Sequence, residues 1–200
     1  MKTLLLSLLV FFPLLAGDGL NKKERKYAAN YLEESKMEIF TTISTLSPEQ
    51  WKFKSDEESW SVAGICEHLL IAEKSTYNLV TAKIITDEAN RSIEEGQKVT
   101  NEEVIAKILD RSPEARVKTP APFEPKDMIE TPQDFIQAFT AAREKNQNYL
   151  KQTKDDLNGY YYDGPAGRTS GYQWFIILGA HAQRHLDQIQ EVMEHQDFPK

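Results

Sequence analysis

From Gly171 to Met193 the chain runs without a proline, and its apolar residues return at helical spacing. The seam reads Trp174, Leu178, His181, His185, Ile189 and Val192. A helix with such a stripe must be covered by other helices, and two positions where a bundle would place leucines carry imidazoles. Burying them is unfavourable unless each nitrogen finds a partner. A metal ion is one partner that suits both at once.

Three further segments supply the cover. Asn21 to Leu46 carries Ala28, Tyr31, Leu32, Ser35, Ile39, Thr42, Ile43 and Leu46 on one face, and Ser47-Pro48 ends it. Trp60-Ser61 opens a second helix, with Val62, Ile65, Cys66, Leu69, Ala72, Glu73, Thr76 and Val80 as its seam. A third begins at Thr131-Pro132-Gln133-Asp134, with Thr131 as N-cap and Pro132 at the first helical position. Its buried face reads Phe135, Phe139, Ala142, Asn146, Tyr149 and Leu150. The expected spans are 20 to 47, 60 to 86, 132 to 153 and 170 to 195.

About forty residues separate helices two and three, far more than a hairpin needs. Within them Asn101 to Asp110 reads as a short extra helix, and Pro113, Pro120, Pro122 and Pro125 hold the chain extended. Tyr160 to Gly167 is turn-rich, and its tyrosines suit a lid or simple packing. No strand of convincing alternation, no repeat and no phosphate-binding glycine loop appears. The fold class is all-α: a four-helix bundle with one long crossover between helices two and three.

Ahead of the bundle, Met1-Lys2 and the apolar run Thr3 to Ala16 form a secretory leader, too short to span a bilayer and ending in small residues. Residues 1–17 are thus expected to be a signal peptide and 20–200 one mature domain, exported to the periplasm or secreted, with no stable membrane span after cleavage. A formal charge of -7, without any basic stripe, argues against a nucleic-acid surface. Cys66 is the sole cysteine and lies among apolar residues, so it reads as a buried, inert thiol. The expected partners are a small-molecule substrate or ligand and, at most, a second copy of the chain in a homodimer.

His181 and His185, an i, i+4 pair, can reach one point beside their helix. His68 lies at the edge of the second helix's seam, and it closes a three-histidine set if helices two and four are neighbours. Three neutral imidazoles with an open fourth position match a catalytic zinc site. Imidazole also suits nickel, iron or copper, so the donors do not choose the metal. The competing reading is two core histidines satisfied by Asn146, Tyr149 or a backbone carbonyl. His195, near the C-terminus, is given no role.

The segment Trp60-Ser-Val-Ala-Gly-Ile-Cys-Glu-His-Leu69 resembles the second helix of the DinB-like superfamily, bundles related to bacillithiol transferases. The stretch from Arg111 to Pro125 is similar to the crossover of that family's exported or uncharacterised members. His181-Ala-Gln-Arg-His185 with Gln188 resembles its fourth-helix motif. The resemblance spans nearly the whole mature chain. It implies one histidine from helix two and two from helix four around a divalent metal, here His68, His181 and His185. Zinc or nickel heads the expectation, with iron or manganese behind.

Family members of known activity attach low-molecular-weight thiols to electrophiles, isomerise through a thiol adduct, or hydrolyse amide-like bonds. The resemblance therefore implies a metal-dependent hydrolase or thiol transferase. Thiol cofactors are largely cytoplasmic, so the leader favours hydrolysis or simple binding. The alternative is a non-catalytic exported bundle that binds metal or a small molecule. Arg184 and Gln188 flank the histidine face and Arg143 sits at the edge of helix three; these are candidates for orienting an anionic or carbonyl group. Glu73 is the nearest carboxylate to a general base, and Glu67 points elsewhere.

Overall fold

Each long helix begins at a side chain that caps it. Asn21 with Glu24, Thr131 with Asp134 and Ser170 with Gln173 form reciprocal capping boxes, and Ser61 Oγ accepts from Gly64 N–H. The computed structural model describes residues 19–91, 98–115 and 117–200. The leader expected at 1–17 lies outside them. The helices are α1 (Lys22–Ile43), α2 (Pro48–Lys52), α3 (Val62–Leu79), α4 (Asn101–Leu109), α5 (Pro132–Gln152) and α6 (Gly171–Met193). A π-helical turn, Val80–Ile84, extends α3. Among the described residues no helix is long and apolar enough to cross a membrane.

The four long helices, α1, α3, α5 and α6, make the bundle. Both α5 and α6 pack against α1 and against α3, so α3 and α6 lie side by side as the histidine set requires. The crossover joins α3 to α5. Its α4 lies on α6 and buries Val104 and Ile108 there. This cover explains why the first half of α6, Gly171 to Ala180, is buried all round. Beyond it the buried line is Ala182, Leu186, Ile189 and Val192, with His181 and His185 at its border rather than at its centre.

Two departures from the sequence reading concern short elements. α1 ends earlier than expected, at Ile43 with Ser44 as its C-cap, and Ser47-Pro48 instead starts α2, whose Trp51 is fully buried. The turn-rich stretch before α6 is an antiparallel hairpin, β1 (Tyr161–Gly164) with β2 (Gly167–Ser170). Four-residue strands show too little alternation to read. Two of its tyrosines are engaged within the fold: Tyr162 lies against Trp174, and Tyr160 OH donates to Glu88 at 2.9 Å.

The core forms two clusters. One holds Ile39, Ile43, Trp51, Ile65, Phe135, Phe139, Leu186 and Ile189. The other holds Ala28, Leu32, Val80, Ile84, Leu150, Phe175 and Ile176. Between them, midway along the bundle, runs a buried polar layer of Ser35 from α1, Glu73 from α3, and Arg143 and Asn146 from α5. On α6 the corresponding level is His181, between Ala180 of one cluster and Ala182 of the other.

Candidate metal centre

At that level α3 and α6 bring His68, His181 and His185 together. His68 Nε2 and His185 Nε2 each lie 3.1 Å from His181 Nε2. One ligand atom from each of the three lies within 4.8 Å of the other two. His68 is buried, while His181 and His185 keep part of their surface open. The open side is where a further ligand could enter.

The outward nitrogens are fixed separately. His68 Nδ1 is 2.8 Å from the Phe123 carbonyl, which can only accept, so this nitrogen carries the proton. His185 Nδ1 likewise donates to Gln188 Oε1 at 2.8 Å. Both Nε2 atoms therefore present lone pairs toward His181. A neutral His181 has at most one proton at Nε2 and can answer only one of them. A cation amid the three nitrogens answers all, and the spacing suits tetrahedral ligation at about 2.0–2.1 Å. The residues present fit a divalent metal.

Protonation is suppressed at all three. Burial lowers the His68 pKa, against the pull of the Phe123 carbonyl. Desolvation drives His185 down to about 3, helped by His68, Arg184 and Arg111. His181 falls well below the ordinary range through burial, then through His185, His68, Arg184 and Arg143. Near neutral pH the set is three neutral imidazoles, the form that ligates.

The polar candidates divide. Gln188 touches the site through His185. Arg184 caps the C-terminus of α4, donating from Nη1 to the carbonyls of Ile108, at 3.1 Å, and Asp110. Arg143 is not at the edge of its helix: it is fully buried. Its Nη1 donates to Leu32 O at 2.7 Å and Ser35 Oγ at 3.0 Å, and Nη2 lies 2.7 Å from Glu73 Oε1. Continuing Phe135 and Phe139 by four residues leads to Arg143, so the spacing held the signal and the charge obscured it. Glu73 is spent on Arg143 and on Asn146, whose Nδ2 donates to Oε2 at 2.7 Å. Glu67 is buried and accepts from Met128 N–H at 3.0 Å. Cys66 is buried too, and desolvation raises its thiol pKa, as expected of an inert cysteine.

Two neighbours of the site were given no role at it by the sequence reading. The Phe123 carbonyl belongs to the backbone of the proline-rich crossover, and the Trp60 ring lies 5.1 Å from that of His68.

The fold and the histidine set define a class, a helical bundle with a three-histidine group that could hold a metal ion. The family model of the DinB superfamily matches residues 31–189, and the chain belongs to that superfamily. No curated protein and no solved structure matches it.

Proposed function

We propose that this protein is a divalent-metal-dependent enzyme whose metal is held by His68, His181 and His185, exported by its N-terminal leader. The observation that carries the metal is the convergence of three Nε2 atoms while two Nδ1 protons are held elsewhere. When bound, the metal supplies Lewis acidity and lowers the pKa of a water or thiol reaching its open position. The chain's own residues do the rest. Phe123 O and Gln188 Oε1 orient two imidazoles and hold their outward protons. Burial keeps all three rings neutral.

The carboxylates Glu73 and Glu67 are engaged in ion pairing and in a backbone hydrogen bond. Neither of these two is free to serve as a general base at the histidine set, and a metal held there would supply the activation in their place. This suits hydrolysis of an ester- or amide-like bond, or thiol transfer, and export favours hydrolysis. Zinc or nickel fits the all-imidazole donor set best, ahead of iron and manganese.

Metal content of the purified protein decides the first step. Close to one equivalent is expected, falling well below one in the single alanine variants of His68, His181 or His185 and unchanged in His195→Ala. Turnover of ester, amide and thiol-conjugation substrates, lost on chelation and restored by metal, decides the second. A protein that binds metal without turning over any of them is the non-catalytic binder. One that takes up none of zinc, nickel, manganese or iron removes the metal reading.

A further inference from the structure

The end of the crossover is laid along α3 as a strap, and from Phe123 to Met128 its contacts lie on or beside the turn that carries His68. Phe123 O accepts from His68 Nδ1. Pro125 sits over Gly64, where an added Cβ would stand 3.4 Å from Pro125 Cγ. Asp127 then turns the chain with φ 57°, a left-handed conformation that Asp tolerates better than most residues. The turn aims Met128 N–H inward at Glu67 Oε2. Past it, Ile129 O accepts from Trp51 Nε1 at 3.3 Å, and Thr131 caps α5.

Glu67 is thus a buried carboxylate directly before a candidate ligand, bonded to the strap that braces that ligand's ring. We infer that Glu67 is a positioning residue for the metal. By anchoring Met128 it holds the Phe123 carbonyl on His68 Nδ1, which keeps His68 Nε2 as a lone pair aimed at the ion. The inference rests on the metal reading above. An outer hydrogen-bond partner of a ligating histidine commonly changes metal affinity by about 10–100-fold; acting one step further out, Glu67 belongs at the lower end.

Zinc affinity of the full mature chain, measured by competition with a chromogenic chelator, tests this in wild type, Glu67→Ala and Glu67→Gln. Glu67→Ala should bind zinc about 10-fold more weakly. Glu67→Gln keeps an oxygen that accepts from Met128 and should stay close to wild type. A purely structural role predicts instead that both variants bind zinc as wild type does, whatever their melting temperatures. In wild type, zinc should also slow amide exchange across residues 121–130, a readout that stands even where Glu67→Ala fails to fold. Equal zinc affinity in all three proteins, or exchange in the strap unmoved by zinc, overturns the positioning role alone. Wild-type protein that takes up no zinc overturns the metal reading and this inference with it.

Discussion

His185 and Gln188 are joined within α6 by a 2.8 Å hydrogen bond from Nδ1 to Oε1, so one turn of helix carries both a candidate ligand and the group that orients it. The amide decides which nitrogen of His185 faces His181. Removing it frees the ring to rotate or change tautomer.

Gln188→Ala should therefore weaken metal binding by about 10-fold while leaving the fold intact. Gln188→Glu, a stronger acceptor at the same atom, should bind at least as tightly as wild type. Isothermal titration with zinc separates the two. Equal affinity in wild type and Gln188→Ala would show that the bond does not set the ring.

The neutral rings tie stability to pH. In the unfolded chain a histidine titrates near its ordinary pKa of about 6.5, whereas folding pushes His185 to about 3 and lowers His68 and His181 as well. The unfolded state then binds more protons below about pH 6.5, so the stabilisation is present above that value and is lost as pH falls toward the folded pKa. Each histidine adds up to about 1.4 kcal/mol per pH unit to the slope. Urea unfolding of metal-free protein at pH 7 and pH 5 should show a marked loss of stability, smaller in His185→Gln. A slope unchanged by that substitution would place the proton uptake elsewhere.

Arg143 ties α1, α3 and α5 together at the polar layer, and Glu73 is its counter-ion at full burial. Arg143→Met leaves a carboxylate buried without its cation and should cost about 3–5 kcal/mol. Adding Glu73→Gln should recover a good part of that loss, because the neutral amide needs no cation. Chemical denaturation of the single and double variants gives the ranking. A double variant less stable than Arg143→Met would mean the layer is held by something other than the charge pair.

The helices were legible because their signals are local. Capping residues such as Thr131 and Ser61, together with apolar spacing, mark where each starts and which side it buries. His68, His181 and His185 were legible as a set once two helices were expected to be neighbours. Other features were not legible, for a common reason. Phe123 contributes a carbonyl, which every residue has, and the hairpin strands are too short to show a period. Arg143 reads from the sequence as a substrate-orienting candidate at a helix edge because its partner lies 70 positions earlier, at Glu73. Pairings between distant segments leave no mark on either one alone.

Arg184 separates a structural role from a functional one. Its guanidinium donates to the Ile108 and Asp110 carbonyls, groups that the end of α4 would otherwise leave to water. It also helps keep His181 and His185 deprotonated, so sequence position alone would make it a substrate-binding residue. Hydrogen bonds from a charged donor contribute about 1.5–3 kcal/mol when well formed; here one Nη1 is shared between two carbonyls at a partly exposed helix end, where solvent competes and the pair together contributes less than that range. Arg184→Ala should thus speed amide exchange in Asn101–Leu109 and lower stability by about 1 kcal/mol, leaving zinc affinity within a few-fold of wild type. Should the variant instead keep α4 as protected as in wild type while losing turnover of anionic substrates, Arg184 would be a substrate contact and its hold on α4 incidental.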